Sequence, residues 1–192
     1  MLAARGAQVI DGDRVYRDLL QPGSPLMTRL VDRFGNEIVS PSGEIDRKAL
    51  GQIVFNDASA LADLDALTHP AIVEAMRRQI ALSTSPAVVV EAVKLAHTDL
   101  IHDIDALWLV TADQDIRRER LIARSGLDAE HAQARIDAFS DPIPTGVPVD
   151  AIIDNSGTID ALAPQVIAAW NAFQASGAAA GHERDSTTRE DS

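Results

Sequence analysis

The sequence predicts an α/β protein: helices packed on a parallel sheet, with a helical insertion between the first two strands. Three observations carry this. Four short runs, 7–10, 88–90, 106–110 and 151–153, are aliphatic or β-branched without polar alternation, as in strands buried on both faces. Helical spacings fill the gaps between them. Hydrophobic residues make up 46% of the chain but aromatics only 4%, which favours aliphatic helix-on-sheet packing over a small aromatic-rich barrel.

The first run ends at Asp11, the second at Glu91, the third at Thr111 and the fourth at Asp154-Asn155. Polar groups at the carboxyl ends of parallel strands sit where α/β proteins bind ligands. After the first run, Arg14 to Leu20 forms a helix that Asp11 or Asp13 can cap. Leu26, Leu30 and Phe34 then recur at four-residue spacing. Asp46 is an N-cap for a helix bearing Leu50, Ile53 and Val54, and Asp57 for one bearing Leu61, Leu64 and Leu67. Pro70 suits the first position of a further helix with Ile72, Met76 and Ile80 on one face. Three or four helices between two strands are too many for one crossover and read as an inserted subdomain, about 26–83.

Beyond the third run, Asp113 caps a helix that stops at Ser125-Gly126, and Asp128 begins another. Pro142, Pro144, Gly146 and Pro148 make 141–148 a loop. The last helix begins near Thr158 and carries Leu162, Val166, Ile167, Trp170 and Phe173, with Pro164 delaying or bending its start. The domain spans 1–172. Residues 173–192 have little to bury and read as a disordered tail.

The chain has 192 residues, the size of one ordinary domain. Its 17 Lys and Arg against 29 Asp and Glu give a net charge of −12, which excludes a general nucleic-acid coat. There is no cysteine, so disulfides, thiolate nucleophiles and Cys-ligated zinc are excluded. No apolar run approaches the ~18 residues of a membrane span, and the first residues lack the apolar core of a secretory signal. These features predict a cytoplasmic protein with no membrane partner.

Four constellations carry chemistry. In Val9-Ile10-Asp11-Gly12-Asp13, two carboxylates follow a strand end; one can accept a hydroxyl proton while the other orients a donor or binds a metal. The competing reading is a plain helix cap. Arg117, Arg120 and Arg124 line one helix face, and an anion such as phosphate suits their guanidinium groups; pairing with Asp113, Asp115 or Glu119 is the alternative. His69, in Thr68-His69-Pro70, stands before a helix start, either meeting a ligand or merely facing solvent. Asp154-Asn155-Ser156-Gly157 forms a polar turn, either a nucleotide-base pocket or an ordinary strand-to-helix connection. His97 and His102 lack the i, i+4 spacing of a helical metal pair, so a zinc site is rejected.

Taken in order, these stretches resemble the dephospho-CoA kinase family. The resemblance runs from Leu2-Ala3-Ala4-Arg5-Gly6 through Val9-Ile10-Asp11-Gly12-Asp13 and Arg17 to Gln21-Pro22-Gly23. It continues in Asp32-Arg33-Phe34-Gly35, Gly43-Glu44-Ile45-Asp46-Arg47 and Leu50-Gly51-Gln52-Ile53-Val54-Phe55. Leu67-Thr68-His69-Pro70, Arg120-Leu121-Ile122-Ala123-Arg124 and Ile153-Asp154-Asn155-Ser156-Gly157 complete it. The resemblance implies a three-layer α/β/α P-loop kinase fold with a helical acceptor subdomain. The reaction it implies is transfer of phosphate from ATP, with Mg²⁺, to the ribose 3′-hydroxyl of dephospho-CoA, the last step of coenzyme A synthesis. It makes Asp13 the base, with Asp11 supporting the same cleft. It places Arg17 and His69 on the acceptor side, Arg120 and Arg124 toward the ATP phosphates, and Asp154, Asn155 and Gly157 beside the adenine. Phosphoryl transfer needs in-line positioning, charge neutralisation and one carboxylate at the acceptor oxygen, and two closing lobes would exclude water.

The sequence departs from that family in three places. The family opens with a strand and a loop of the form G-x-x-x-x-G-K-[ST], whose amides and lysine hold phosphate. The two lysines here, Lys48 and Lys94, follow no such loop. Residues 2–6 match the helix end after that loop, so a front segment of roughly 20 residues is expected to be missing, as in a truncated copy begun at an internal methionine. In the lid region that the resemblance places at about 126–148, Phe139, Pro142 and Thr145 stand where a Gln and basic residues are usual. Glu91 replaces the strand-end Asp, Val93 the Pro after it, and Lys94 a usually apolar residue. The alternative function is therefore an inactive module or pseudokinase that binds a CoA-like ligand. A nucleoside monophosphate kinase is a third reading, disfavoured by Asp11-Gly12-Asp13 and His69-Pro70.

Overall fold

The computed structural model describes residues 1–138 and 143–177. The described chain divides into two compact units. One is Ala7–His102; the other joins Met1–Gly6 to the described residues from Asp103 onward.

In the first unit, β1 (Gln8–Asp11) leads into α1 (Gly12–Leu19), α2 (Pro25–Phe34), α3 (Arg47–Phe55), α4 (Ala58–Ala81) and β2 (Val88–Glu91). β1 and β2 pair in parallel, Gln8 opposite Val88 and Asp11 opposite Glu91. Each helix start is fixed locally. Asp46 accepts from the Lys48 and Ala49 amides and Asp57 from those of Ser59 and Ala60, while Ser24 caps α2 ahead of Pro25. Two apolar clusters hold the unit. The first joins Leu20, Leu26, Leu30, Phe34, Ile38, Leu50 and Ala60; the second joins Ile10, Val15, Val73, Met76 and Leu100. Leu30, Ile38 and Leu100 are fully buried.

Helix α4 corrects one expectation. No new helix starts at Pro70; the proline lies inside one continuous helix of 24 residues. An interior proline costs about 3 kcal/mol, because its ring displaces a backbone donor. The helix persists because its amino-terminal half packs on the first cluster through Leu64 and Leu67, and its carboxyl half anchors the second through Val73 and Met76.

In the second unit, a 3₁₀ turn (Ala3–Arg5) ends at Gly6, whose φ of 89° is left-handed. The unit then comprises β3 (Trp108–Thr111), α5 (Gln114–Ser125), α6 (Ala129–Ala138), β4 (Ala151–Asp154) and α7 (Ile159–Ala175). β3 and β4 pair in parallel from Trp108 opposite Ala151 to Thr111 opposite Asp154. Asp113 caps α5, which ends at the left-handed Gly126, and Thr158 caps α7. Pro164 therefore lies inside α7 without delaying its start. The helix also runs to Ala175, so the predicted tail begins a few residues too early at 173; residues 178–192 lie outside the described residues. So do Phe139 and Pro142 of the expected lid.

Among the described residues each unit holds one parallel pair of four-residue strands, and the strands are not buried on both faces as their apolar runs predict: Val9, Val110 and Ile152 are 44%, 59% and 67% exposed. Among the described residues no helix is long and apolar enough to cross a membrane.

Candidate active site

The residues predicted for chemistry fall into two groups, one in each unit. In the first, Asp11 closes β1 and starts α1. Its Oδ1 accepts from the Asp13 amide at 2.9 Å and the Arg14 amide at 3.2 Å. The cap reading of Asp11 thus holds, and a capped carboxylate keeps its second oxygen for other partners. Gly12 is buried, and a Cβ there would come within 3.0 Å of the Glu91 carbonyl and 2.9 Å of Met76 Cε. Only glycine lets α1 start this close to the tip of β2. Asp13 follows in the first turn of α1, exposed, at the end of the helix dipole that favours an anion.

Arg17 lies one turn further along, and its Nε donates to the Asp13 backbone carbonyl at 3.3 Å. It therefore bonds the main chain of the predicted base and not its carboxylate. A cavity of about 240 Å³ between α1 and α4 is lined by Val15, Asp18, Leu19, Ala75, Arg78 and Gln79; Asp13 is not among them. His69 stands mid-helix in α4, half-exposed, with Nε2 3.5 Å from Asp65 Oδ1 one turn earlier. Tyr16 is a neighbour that the sequence did not single out. Burial pushes its phenol above the ordinary value, against the lowering pull of Arg47, and Asp65 adds a smaller upward push.

The second group is more tightly built. The turn after β4 is held at every residue. Asp154 Oδ1 accepts from both the Ser156 amide and the Ser156 hydroxyl, and these bonds, hydroxyl first, hold its carboxyl below the usual range. The Ser156 oxygen in turn accepts from the Asp113 amide at 2.7 Å. The Asn155 amide donates to the Thr111 carbonyl at 2.7 Å. Gln165, from α7, accepts from the Asp154 amide at 2.9 Å and donates to the Asp154 carbonyl at 3.0 Å.

Arg120 reaches this turn from α5. Its Nη1 donates to the Asn155 carbonyl at 2.6 Å and its Nη2 to the Gly157 carbonyl at 3.1 Å. The structure thus brings Arg120, Asp154, Asn155 and Gly157 together. Arg124, one turn further along α5, is exposed, and its side chain makes no hydrogen bond or ion pair among the described residues. Arg118 is the arginine that pairs with Asp115, so the alternative of acid pairing holds for a neighbour of the stripe. Sequence reading missed Gln165 and Arg118 as participants and named Ser156 only as part of the turn. Ser156 carried a signal, an Asp two residues before it, whereas Gln165 meets its partner only through the packing of α7.

Mg²⁺ is the cation such a reaction implies. Among the described residues no three His, Cys, Asp or Glu side chains gather to hold a metal ion, so a cage made by the protein alone does not fit, and no step below is routed through the ion.

The comparisons with known proteins agree with one another. Residues 1–161 match the family model described as dephospho-CoA kinase. The dephospho-CoA kinase of Symbiobacterium thermophilum is 40% identical over 175 residues, covering 90% of this chain and 73% of that protein. That of Thermobifida fusca is 36% identical over 174 residues, covering 90% and 87%. The crystal structure of TT1252 from Thermus thermophilus matches with a TM-score of 0.73 at 25% identity, over 89% of this chain and 86% of that one. The dephospho-CoA kinase structure from Campylobacter jejuni shares the fold, with a TM-score of 0.62 at 20% identity, over 91% and 89%. With the family model spanning most of the chain and relatives this similar along nine-tenths of it, the chain belongs to the dephospho-CoA kinase family of phosphotransferases.

Proposed function

We propose that this protein transfers phosphate from ATP to the ribose 3′-hydroxyl of dephospho-CoA. The observation that carries the reading is the family match over residues 1–161. In this proposal Asp13 accepts the hydroxyl proton as the oxygen attacks the γ-phosphorus, and ADP leaves with the bridging oxygen. A general base of this kind contributes roughly 10²–10⁴-fold. Asp11 fixes the start of α1 by its cap and so sets where Asp13 stands. Arg17 and His69 serve the acceptor side. Arg120, Arg124, Asp154, Asn155 and Gly157 serve ATP, with Arg124 toward the phosphates and the 154–157 turn toward the base.

The loop G-x-x-x-x-G-K-[ST] has no counterpart in the 192 residues. The missing loop favours the second reading, a module that binds a CoA-like ligand without phosphoryl transfer.

The test is to assay 3′-phosphorylation with the product of the longest frame containing this chain. The expected result is ATP-dependent formation of CoA, lost about 10²–10⁴-fold in Asp13→Ala while dephospho-CoA still binds. An Asp13→Ala variant at full rate overturns the base assignment. Calorimetry that finds dephospho-CoA bound and ATP unbound, with no upstream loop, establishes the binding module instead.

A further inference from the structure

An arginine on the nucleotide side of a kinase is ordinarily assigned to phosphate, because its fork matches two phosphate oxygens. In Arg120 both terminal nitrogens of that fork are already engaged by the main chain. They hold the carbonyls of Asn155 and Gly157, which lie 35 and 37 residues away in sequence. Between those carbonyls, the side chain of Ser156 bonds Asp154 and the amide of Asp113. The same strand end is gripped by Gln165 through both the amide and the carbonyl of Asp154. Arg120 and Gln165 thus hold successive parts of one four-residue turn, from two different helices.

We propose that Arg120 is a positioning residue. It acts on the nucleotide through the 154–157 turn, presetting the backbone that meets the base, and leaves the phosphates to Arg124. The inference rests on the nucleotide-side reading above. Its chemistry is specific to arginine. A planar guanidinium spans two carbonyls with two parallel donors, whereas a lysine ammonium on a flexible stem keeps the charge but not the two-point span. A preset turn spares the ordering cost of binding, and that saving applies to any ligand that uses the base contact, with or without phosphate.

Adenosine and ATP separate the two roles, because adenosine carries no phosphate. Both are titrated by calorimetry into the 192-residue chain and its Arg120→Lys, Arg124→Ala and Gln165→Leu variants. Amide hydrogen exchange across 154–157 is followed in each without nucleotide. Arg120→Lys is expected to weaken adenosine and ATP by the same factor, about tenfold, the scale of one charge-assisted hydrogen bond, and to speed exchange of the Asn155 and Ser156 amides. Gln165→Leu should give the same signature with no change in charge, and it carries the test if Arg120→Lys does not fold. Arg124→Ala should weaken ATP alone.

Loss of ATP binding with adenosine unaffected in Arg120→Lys makes Arg120 a phosphate ligand and overturns the inference. Unchanged exchange with unchanged affinities in Arg120→Lys also overturns it, while the nucleotide-side reading stands. Failure of the wild-type chain to bind adenosine overturns that reading, and the inference with it.

Discussion

Two aspartates stand at the tips of parallel strands and lead into helices, and they are held in unlike ways. Asp11 ends β1 and caps α1 directly, bonding two amides within its own turn. Asp154 ends β4 and bonds a serine two residues on, and its turn is gripped from outside by Arg120 and Gln165. The first tip is set by local chain geometry and leaves its next carboxylate, Asp13, exposed. The second is set by tertiary contacts, with each of its four residues bonded. A proton-accepting side chain has to stay uncommitted to meet its substrate, whereas a turn that shapes a pocket gains from being rigid beforehand. Under the function proposed above, the first tip suits chemistry and the second suits recognition.

The largest effect on this comparison is expected at Gly12. Gly12→Ala drives a methyl against the Glu91 carbonyl and the end of Met76. Overpacking of this kind costs about 1–3 kcal/mol, so thermal denaturation should show a clear loss of stability in the variant. An unshifted melting temperature means that α1 tolerates displacement, and contact with β2 then does not fix the placement of Asp13. Asp11→Ala should cost about 0.5–2 kcal/mol through loss of the cap, with Asp11→Asn largely restoring stability because an amide oxygen accepts the same bonds. Equal stability of the alanine and wild-type chains contradicts the cap.

The smallest effects are in pH. The Asp154 carboxyl is held below its ordinary value, so its contribution is complete above the unfolded value of about 3.9 and is lost as pH falls through the lowered folded value. Exchange of the Ser156 amide should quicken over that acid range beyond the intrinsic pH trend, and a Ser156→Ala variant should not show the step. At the start of α6, Asp128 faces His131 through both carboxylate oxygens. The imidazole is raised chiefly by its hydrogen bond to Asp128. Its contribution is complete below the unfolded value of about 6.5 and is lost as pH rises through the raised folded value. Protection of the first α6 amides should therefore fall on the alkaline side in the wild type and not in His131→Ala.

The parts of the fold that were legible in the sequence are those decided over a few residues. Asp46, Asp57, Asp113 and Thr158 announce helix starts because a short side chain reaches back only two or three residues. Gly126 announces a helix end for the same reason. Pro70 misleads because its local cost is outweighed by packing along the whole of α4, which periodicity over a single turn does not reveal. The strand runs were placed to within one or two residues, but their burial was not. Burial depends on what packs against each face of a strand, a property of the assembled fold. In the candidate site, the arginine stripe and the 154–157 turn were both visible as separate motifs. Their union through Arg120 spans 35 residues and more, and nothing in the spacing along the chain encodes it.

Gln165 has one further effect. Within a strand, the amide and carbonyl of one residue point the same way, and those of Asp154 point away from the side on which the Asn155 amide meets Thr111. A side-chain carboxamide bonded to both imitates a single residue of an additional strand. It occupies the hydrogen-bonding positions at which another polypeptide would begin to zip onto β4, and such open borders are where proteins clump. One glutamine on α7 thus fills both of these positions at the border of β4.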